Sequence, residues 1–329
     1  MFEERDATFA SGVLPAGDDR SSVASMARPW DDSERAALVA LLRSRPRNMK
    51  WPEIAAQVDD RGSALVVWSE EYPADLFAGD EKQPALLEAH KDIALWNENG
   101  LGFLTFLDDR YPAQLRDIHD FPPVLFHRGK LVPGETGMSV VGSRAASKRG
   151  LDIAGSLADR LVGRGITVLA GLAKGIDSAA HIAALEAGGR TVAIIGTGIR
   201  KFYPPDNRAL QERIAAEGLV LSQFWPDAPP TKHSFPMRNT VMSGYGRATI
   251  VVEAGEHSGA RIQARRAVAH GRPVILTDLV VNANKWAREM TEKPGVHVAS
   301  GTDQAMAIVD DIMSGPARLH ELLAVAARA

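Results

Sequence analysis

Ile166-Thr-Val-Leu-Ala-Gly-Leu-Ala-Lys-Gly-Ile-Asp-Ser-Ala-Ala-His-Ile-Ala-Ala-Leu-Glu-Ala-Gly-Gly-Arg-Thr-Val-Ala-Ile-Ile195 is the run that decides the fold. An apolar strand, Ile166–Ala170, ends in a glycine turn. A helical pattern over Ser178–Ala187 follows, and then a second apolar strand, Thr191–Ile195. Short apolar runs too brief for helices, separated by helical periodicity, read as strand–helix–strand units of a parallel sheet. The same alternation extends in both directions. Strands are predicted at Met138–Val141, Leu219–Ser222, Ala248–Glu253 and Pro273–Thr277, with helices at Leu151–Val162, Arg208–Ala216 and Arg261–Ala269. Val296–Ala299 adds an edge strand and Asp303–Met313 a further helix. The fold class is therefore α/β, a doubly wound, mostly parallel Rossmann-like sheet over residues 137–315.

The rest of the chain reads differently. Residues 1–29 are rich in Ser, Ala, Gly and Asp without periodicity and are expected to be a disordered leader. Residues 30–100 predict a small helical domain. Its helices are Glu34–Arg43, capped by Asp32 or Ser33, then Pro52–Val58, and one over Pro84 to Asn97. Residues 101–136 carry Pro112, Pro122, Pro123 and Pro133 and read as a linker or lead-in. Residues 316–329 predict a short C-terminal helix, Leu319–Ala327.

The chain has 329 residues, 45% of them hydrophobic and 24% charged, which fits a soluble globular protein. It contains no cysteine, which excludes disulfides and thiolate metal sites. No apolar run is long enough for a membrane span, and the acidic start at Glu3, Glu4 and Asp6 is unlike a secretory leader. A cytoplasmic protein is expected. The net charge of −3 conceals an asymmetry: residues 137–272 sum to +8 and residues 1–136 to −9. A basic centre between acidic flanks points to an anionic partner for the centre.

Glycine turns follow the predicted strands at Gly142-Ser143-Arg144, Gly171-Leu-Ala-Lys174-Gly175, Gly196-Thr-Gly198, and Gly255 with Ser258-Gly259. In a doubly wound sheet these turns share the carboxyl edge, where ligands bind. There glycine lets backbone approach closely, and helix N-termini attract phosphate. Neither G-x-G-x-x-G after the first strand nor G-x-x-x-x-G-K-[ST] is present, which disfavours a dinucleotide or ATPase site. Arg144 either forks onto a phosphate or makes a structural salt bridge. Lys232-His-Ser-Phe235-Pro-Met-Arg238-Asn239 interleaves cations with a ring. That combination suits a single strand, charge for backbone and ring for base; otherwise Phe235 staples the following helix. Asp177 and His181, four apart on a helix, are read as a cap and a backbone-bonded histidine rather than an acid–base pair or half a metal site. Trp225 before Pro226 reads as loop packing.

Seven segments in order carry a family resemblance. Arg110-Tyr-Pro-Ala-Gln-Leu115, Phe121-Pro-Pro-Val-Leu-Phe-His-Arg-Gly129, Gly142-Ser-Arg-Ala-Ala-Ser-Lys-Arg-Gly150 and Ala170–His181 come first. Tyr203-Pro-Pro-Asp-Asn207, Phe235-Pro-Met-Arg-Asn239 and Val252-Glu-Ala with Ser258-Gly259 complete the series. Together they resemble the DprA/Smf DNA-processing proteins over roughly residues 100–275. The resemblance implies an extended Rossmann fold, a homodimer, and single-stranded DNA binding without catalysis, metal or cofactor. It also implies delivery of that DNA to the RecA recombinase in DNA uptake and recombination. By matching positions, Ser143 and Arg144 would meet phosphates, Lys232 the backbone and Phe235 a base, with Arg238 and Asn239 shaping the pocket. Gly142, Gly171, Lys174, Gly196, Ser258 and Gly259 complete the expected DNA-binding set.

Departures stand at Gln223, at Thr240 after the Arg-Asn pair, at Ile262-Gln263, and in Thr277–Ala287, where a glycine-rich stretch is expected. They leave open an alternative, a Rossmann-type sensor of a small nucleotide-derived ligand in defence or stress signalling. A nucleoside-phosphate hydrolase is disfavoured because its Pro-Gly-Gly-x-Gly-Thr turn is absent. The sequence also ends without room for the C-terminal helical domain some family members carry.

Overall fold

The computed structural model describes residues 30–73 and 83–326; the expected leader, residues 1–29, lies outside the described residues. Four helices come first: α1 (Asp32–Ser44), α2 (Trp51–Arg61), α3 (Ala64–Glu71) and α4 (Gln83–Glu98). Asp31 caps α1, its carboxylate accepting from the Ser33 and Glu34 amides. Buried Glu34 in turn accepts from the Ser63 hydroxyl and the Ala64 amide, tying α3 to α1. The short α3 interrupts no long apolar period and was not anticipated.

Next come β1 (Gly102–Thr105), α5 (Ala113–Arg116) and β2 (Val124–Gly129), then β3 (Gly137–Val141), α6 (Lys148–Val162), β4 (Thr167–Ala170), α7 (Ile176–Glu186) and β5 (Thr191–Ile194). The chain continues through α8 (Arg208–Glu217), β6 (Leu219–Ser222), α9 (Ser234–Tyr245), β7 (Ala248–Val251), α10 (Gly259–Ala269) and β8 (Val274–Thr277). It ends with α11 (Asp278–Ala283), α12 (Lys285–Met290), β9 (Val296–Ala299) and α13 (Thr302–Ala326). The expected break before residue 316 is absent: one helix, α13, runs through the expected Asp303–Met313 segment and on to Ala326, while Ala327 lies outside the described residues.

All nine strands form one sheet in the order β1-β2-β6-β5-β4-β3-β7-β8-β9. Pairing is parallel from β6 to β9 and antiparallel at β1–β2 and β2–β6. The expected linker thus carries two strands that lengthen the sheet. Its prolines flank elements rather than break them: Pro112 precedes α5, and Pro122 and Pro123 precede β2. That placement is what a proline tolerates at the start of a strand or helix.

The sheet is covered on both faces, as parallel strands require. Met138 and Val140 pack with Leu157, Ala180 and Met306 on one side. Val141, Leu169 and Val251 pack with Val241, Ala264 and the N-terminal helices on the other. Trp96 sits 4.9 Å from Phe126 and Trp51 5.3 Å from Trp225, so the helical region shares this second core. Strand order reverses between β3 and β7. The carboxyl-end crevice of a doubly wound sheet lies at such a switch point.

Candidate nucleic-acid interface

The turn after β3 leads directly into this crevice. Gly142 is required there, because a Cβ would fall 2.6 Å from Ile176 and 2.7 Å from the Glu253 carbonyl. The Ser143 amide donates to that carbonyl at 2.7 Å, and the Ser143 carbonyl accepts from the Ile176 amide at 3.2 Å. Three strand-end turns are stitched together by these bonds. Arg144 projects from the stitch, exposed and without an acid partner among the described residues. Its guanidinium lies 5.6 Å from the Phe235 ring centroid, a cation–π arrangement.

Phe235 does not lie in a loop, as expected, but on the first turn of α9. It covers Gly196, where a Cβ would fall 2.7 Å from the ring. Tyr203 stands 5.3 Å from it between ring centroids. Arg144, Phe235 and Tyr203, one cation and two rings, line one pocket. Tyr203 was quoted within a motif but not singled out; its aromatic character was the available signal.

Arg238, one turn further along α9, is buried. Its Nη1 donates to the Ile194 carbonyl at 2.6 Å and its Nε to Asn239 Oδ1 at 3.2 Å. Gly171 makes room for it, since a Cβ there would overlap the guanidinium. Among the described residues no carboxylate is in ion-pair reach of it. Burial pulls the Arg238 pKa down, opposed by Asp177 and assisted by Arg144. A guanidinium stays charged even so. Burial pushes the Asp177 carboxyl up, opposed by Arg238 and by backbone amides that include Gly171.

Asp177 is not a helix cap in the expected sense. It accepts from the Gly171 amide at 2.9 Å and braces the turn preceding α7. His181 is buried and meets Thr191 Oγ1 at 2.6 Å, with the Ala170 backbone also acting on the ring. Thr191 itself donates to the Val168 carbonyl, which leaves His181 Nδ1–H as the donor. Burial takes the His181 pKa down to about 3, so the ring is a neutral core group.

Two expectations about the turns need correction. The N-terminus of α6 is not open to phosphate: Ser147 caps it, and the Glu253 carboxylate accepts from the Ser147 amide and, at 2.6 Å, from its hydroxyl. Glycines 171 and 196 are likewise covered, by Arg238 and Phe235. Among the glycines of these turns, Gly255 and Gly259 face open space. An anion in this crevice meets cationic side chains rather than the N-terminus of α6.

The crevice is a cleft of about 670 Å³ lined by Gly142, Ser143, Arg144, Lys232, Phe235, Arg238, Asn239, Ser258 and Gly259. A smaller pocket of about 180 Å³, lined by Arg144, Phe235 and Arg238 as well, adds Gly171, Lys174 and Gly196. All twelve expected residues line one hollow or the other. Lys232 is exposed with no acid partner among the described residues, whereas Lys174 is ion-paired with Asp206. Thr277–Ala287 contains α11 and much of α12 instead of a glycine turn. From there Asn284 donates to the Ala254 carbonyl at 2.7 Å and steadies the turn after β7. Trp225 packs among Trp51, Trp96 and Phe126, as read.

A Ser–His–Asp array that sequence spacing could not reveal lies elsewhere. Ser243 Oγ is 2.7 Å from His270 Nδ1, and His270 Nε2 is 2.8 Å from Asp120. The imidazole is fully buried and Arg266 also binds Asp120, at 2.9 Å. The array ties the segment before β2 to α9 and α10, and no substrate reaches the serine. His119, Asp120 and His270 are the one group of potential metal ligands among the described residues. No helix among them is long and apolar enough to cross a membrane.

Fold and cleft together define an extended Rossmann-like protein with a cationic, ring-bearing crevice at its switch point. The chain belongs to the DNA recombination-mediator protein A family, whose model matches residues 102–309. The DNA processing protein DprA of Streptococcus pneumoniae is 44% identical over 172 residues, 52% of this chain and 61% of that protein. That of Bacillus subtilis is 34% identical over 185 residues, 56% of this chain and 62% of that protein. The matches thus span about three-fifths of these relatives' length. The X-ray structure of the Streptococcus pneumoniae protein superposes with a TM-score of 0.64 and 30% identity, over 84% of this chain and 95% of that one. DNA processing protein A from Helicobacter pylori, whose structure concerns its single-stranded DNA binding mode, shares the fold. Its TM-score is 0.55 at 23% identity, over 64% of this chain and 95% of that one.

Proposed function

We propose that the cleft binds single-stranded DNA without base preference and without catalysis, and that a homodimer presents the strand to a RecA-type recombinase. The observation that carries this reading is the set Arg144, Lys232 and Arg238: three cations on one cleft, none ion-paired among the described residues, beside an accessible ring. Charge for the phosphodiester and a ring for a base are what sequence-independent single-strand binding requires. The single-strand binding named for the Helicobacter pylori relative supports it. Dimerisation sets two clefts on one particle and raises avidity for long strands.

The test is titration of labelled oligonucleotides against blunt duplex and against mononucleotides. Length-dependent binding to single strands is expected, with affinity falling steeply as salt rises. Equal affinity for duplex and single strand overturns the reading. Tight binding of a mononucleotide, with no gain from length, replaces it with the sensor of a small nucleotide-derived ligand. Light scattering tests the dimer separately.

A further inference from the structure

A second hollow of about 710 Å³ opens on the other side of the first turn of α9. Its walls come from two distant parts of the chain: Arg45, Lys50 and Trp51 of the helical region, and Trp225, His233 and Met237 beside and within α9. Among the described residues no acidic residue lines it. This is notable in its setting, because residues 1–136 carry a net charge of −9. The run Arg43-Ser-Arg-Pro-Arg-Asn-Met-Lys50 gathers four cations and no acid within that acidic half. Arg43 is held by Asp92 at 2.6 Å and Arg47 by Glu71. Arg45 and Lys50, both exposed, have no acid partner among the described residues.

The backbone here is also unusual. Arg45, Arg47 and Asn48 all adopt positive φ, at 47°, 52° and 59°. Non-glycine residues bear a steric cost in that region, and such cost persists where the surroundings over-determine it. Here it turns the chain so that Arg45 and Lys50 both border the hollow. The apolar floor is aromatic: Trp51 and Trp225 are half-buried, and Met237 is 49% exposed at the rim.

The hollow adjoins the cleft across one short segment. Lys232 and Phe235 line the cleft, while Thr231, His233, Ser234 and Met237 line the hollow. The segment 231–237 is thus a ridge shared by both. We infer that a single strand leaving the cleft crosses this ridge and continues into the hollow, its phosphates on Arg45 and Lys50 and a base against the tryptophan and methionine surface. The inference rests on the cleft being a single-strand site. Charge complementarity and adjacency to the cleft select this occupant over an apolar or basic peptide. The net negative charge of the helical region argues against a nucleic-acid role only when charge is averaged over it.

The test compares a short oligothymidylate of about 6 nucleotides with a long one of about 20, within and beyond the reach of a single site. The variant is the double substitution Arg45→Gln with Lys50→Gln, at exposed positions whose loss leaves thermal unfolding unchanged. It is expected to lower affinity for the long strand at least about tenfold. It also flattens the logarithmic salt dependence by about 1.4, two single-strand phosphate contacts. Affinity for the short strand stays as in the parent. Photocrosslinking with 4-thiothymidine is expected to label Trp225 or Met237 with the long strand only. Unchanged long-strand affinity and salt dependence in the double variant overturn the inference. So does an equal loss for both lengths, or a loss of self-association at constant affinity per site, which would assign the hollow to a second copy. Arg144→Ala separates the two claims. If it binds the short strand like the parent, the reading of the cleft falls. If it weakens both strands while the double variant weakens neither, the cleft stands and the hollow does not.

Discussion

The two edges of the sheet use the same side chains in opposite ways. At the amino edge, Arg190 is ion-paired with buried Glu135, which also accepts from Tyr245 Oη at 2.6 Å and from Thr167 Oγ1 at 2.8 Å. Every oxygen of that carboxylate has a donor. At the carboxyl edge, among the described residues, Arg144 and Lys232 have no acid in reach, and Arg238 is held by a carbonyl and an amide oxygen. A cation with a built-in partner serves the fold; one left without an acid beside a cleft is available to an external anion.

The sharpest way to break this contrast is to remove Glu135. Losing one member of a buried pair leaves an uncompensated charge, so Glu135→Ala is expected to destabilise by about 3–5 kcal/mol. Chemical denaturation reads this loss, and DNA affinity per folded molecule should be unchanged. Arg144→Ala should do the reverse. It is expected to cost about 1.5–3 kcal/mol of binding, the range for charge-assisted hydrogen bonds, with no shift in thermal unfolding. Wild-type affinity in the folded variant would remove the main support for DNA as ligand.

The neutral core histidine sharpens the comparison from a third position. His181 titrates near 3 in the folded protein and near about 6.5 when unfolded. The unfolded chain therefore binds more protons between these values. Stability from burying the neutral ring is complete above the unfolded pKa and declines as pH falls through this window. Between pH 7 and pH 5 the decline is about 2 kcal/mol. His181→Asn should lack that share of the pH dependence, measured by denaturation at both pH values. Phe235→Ala completes the series with about 1–3 kcal/mol of lost stacking. Because the ring carries no charge, the salt dependence of binding should stay as in the parent; a changed slope would mean that Phe235 positions Arg144 instead.

Sequence periodicity by itself determined the parallel sheet. Six strands from Gly137 to Thr277 are short apolar runs whose neighbours are amphipathic, and burial on both faces leaves them no other reading; the edge strand β9 is mostly exposed. It also determined which residues would meet at the crevice, because strand-end turns of a doubly wound sheet converge wherever the strand order reverses. It did not determine the β1–β2 extension, where prolines at element ends look the same as prolines in a linker.

What only the tertiary structure decided is which polar groups are already satisfied. Glu253 sits over the N-terminus of α6, Asp206 over Lys174, and Arg238 over Gly171. Each pairing joins residues from separate segments. Hydrogen bonds and ion pairs act over a few ångströms in space, whatever the distance along the chain. A residue's type therefore shows in the sequence what it can bind, whereas the fold alone settles whether something within the protein already occupies it.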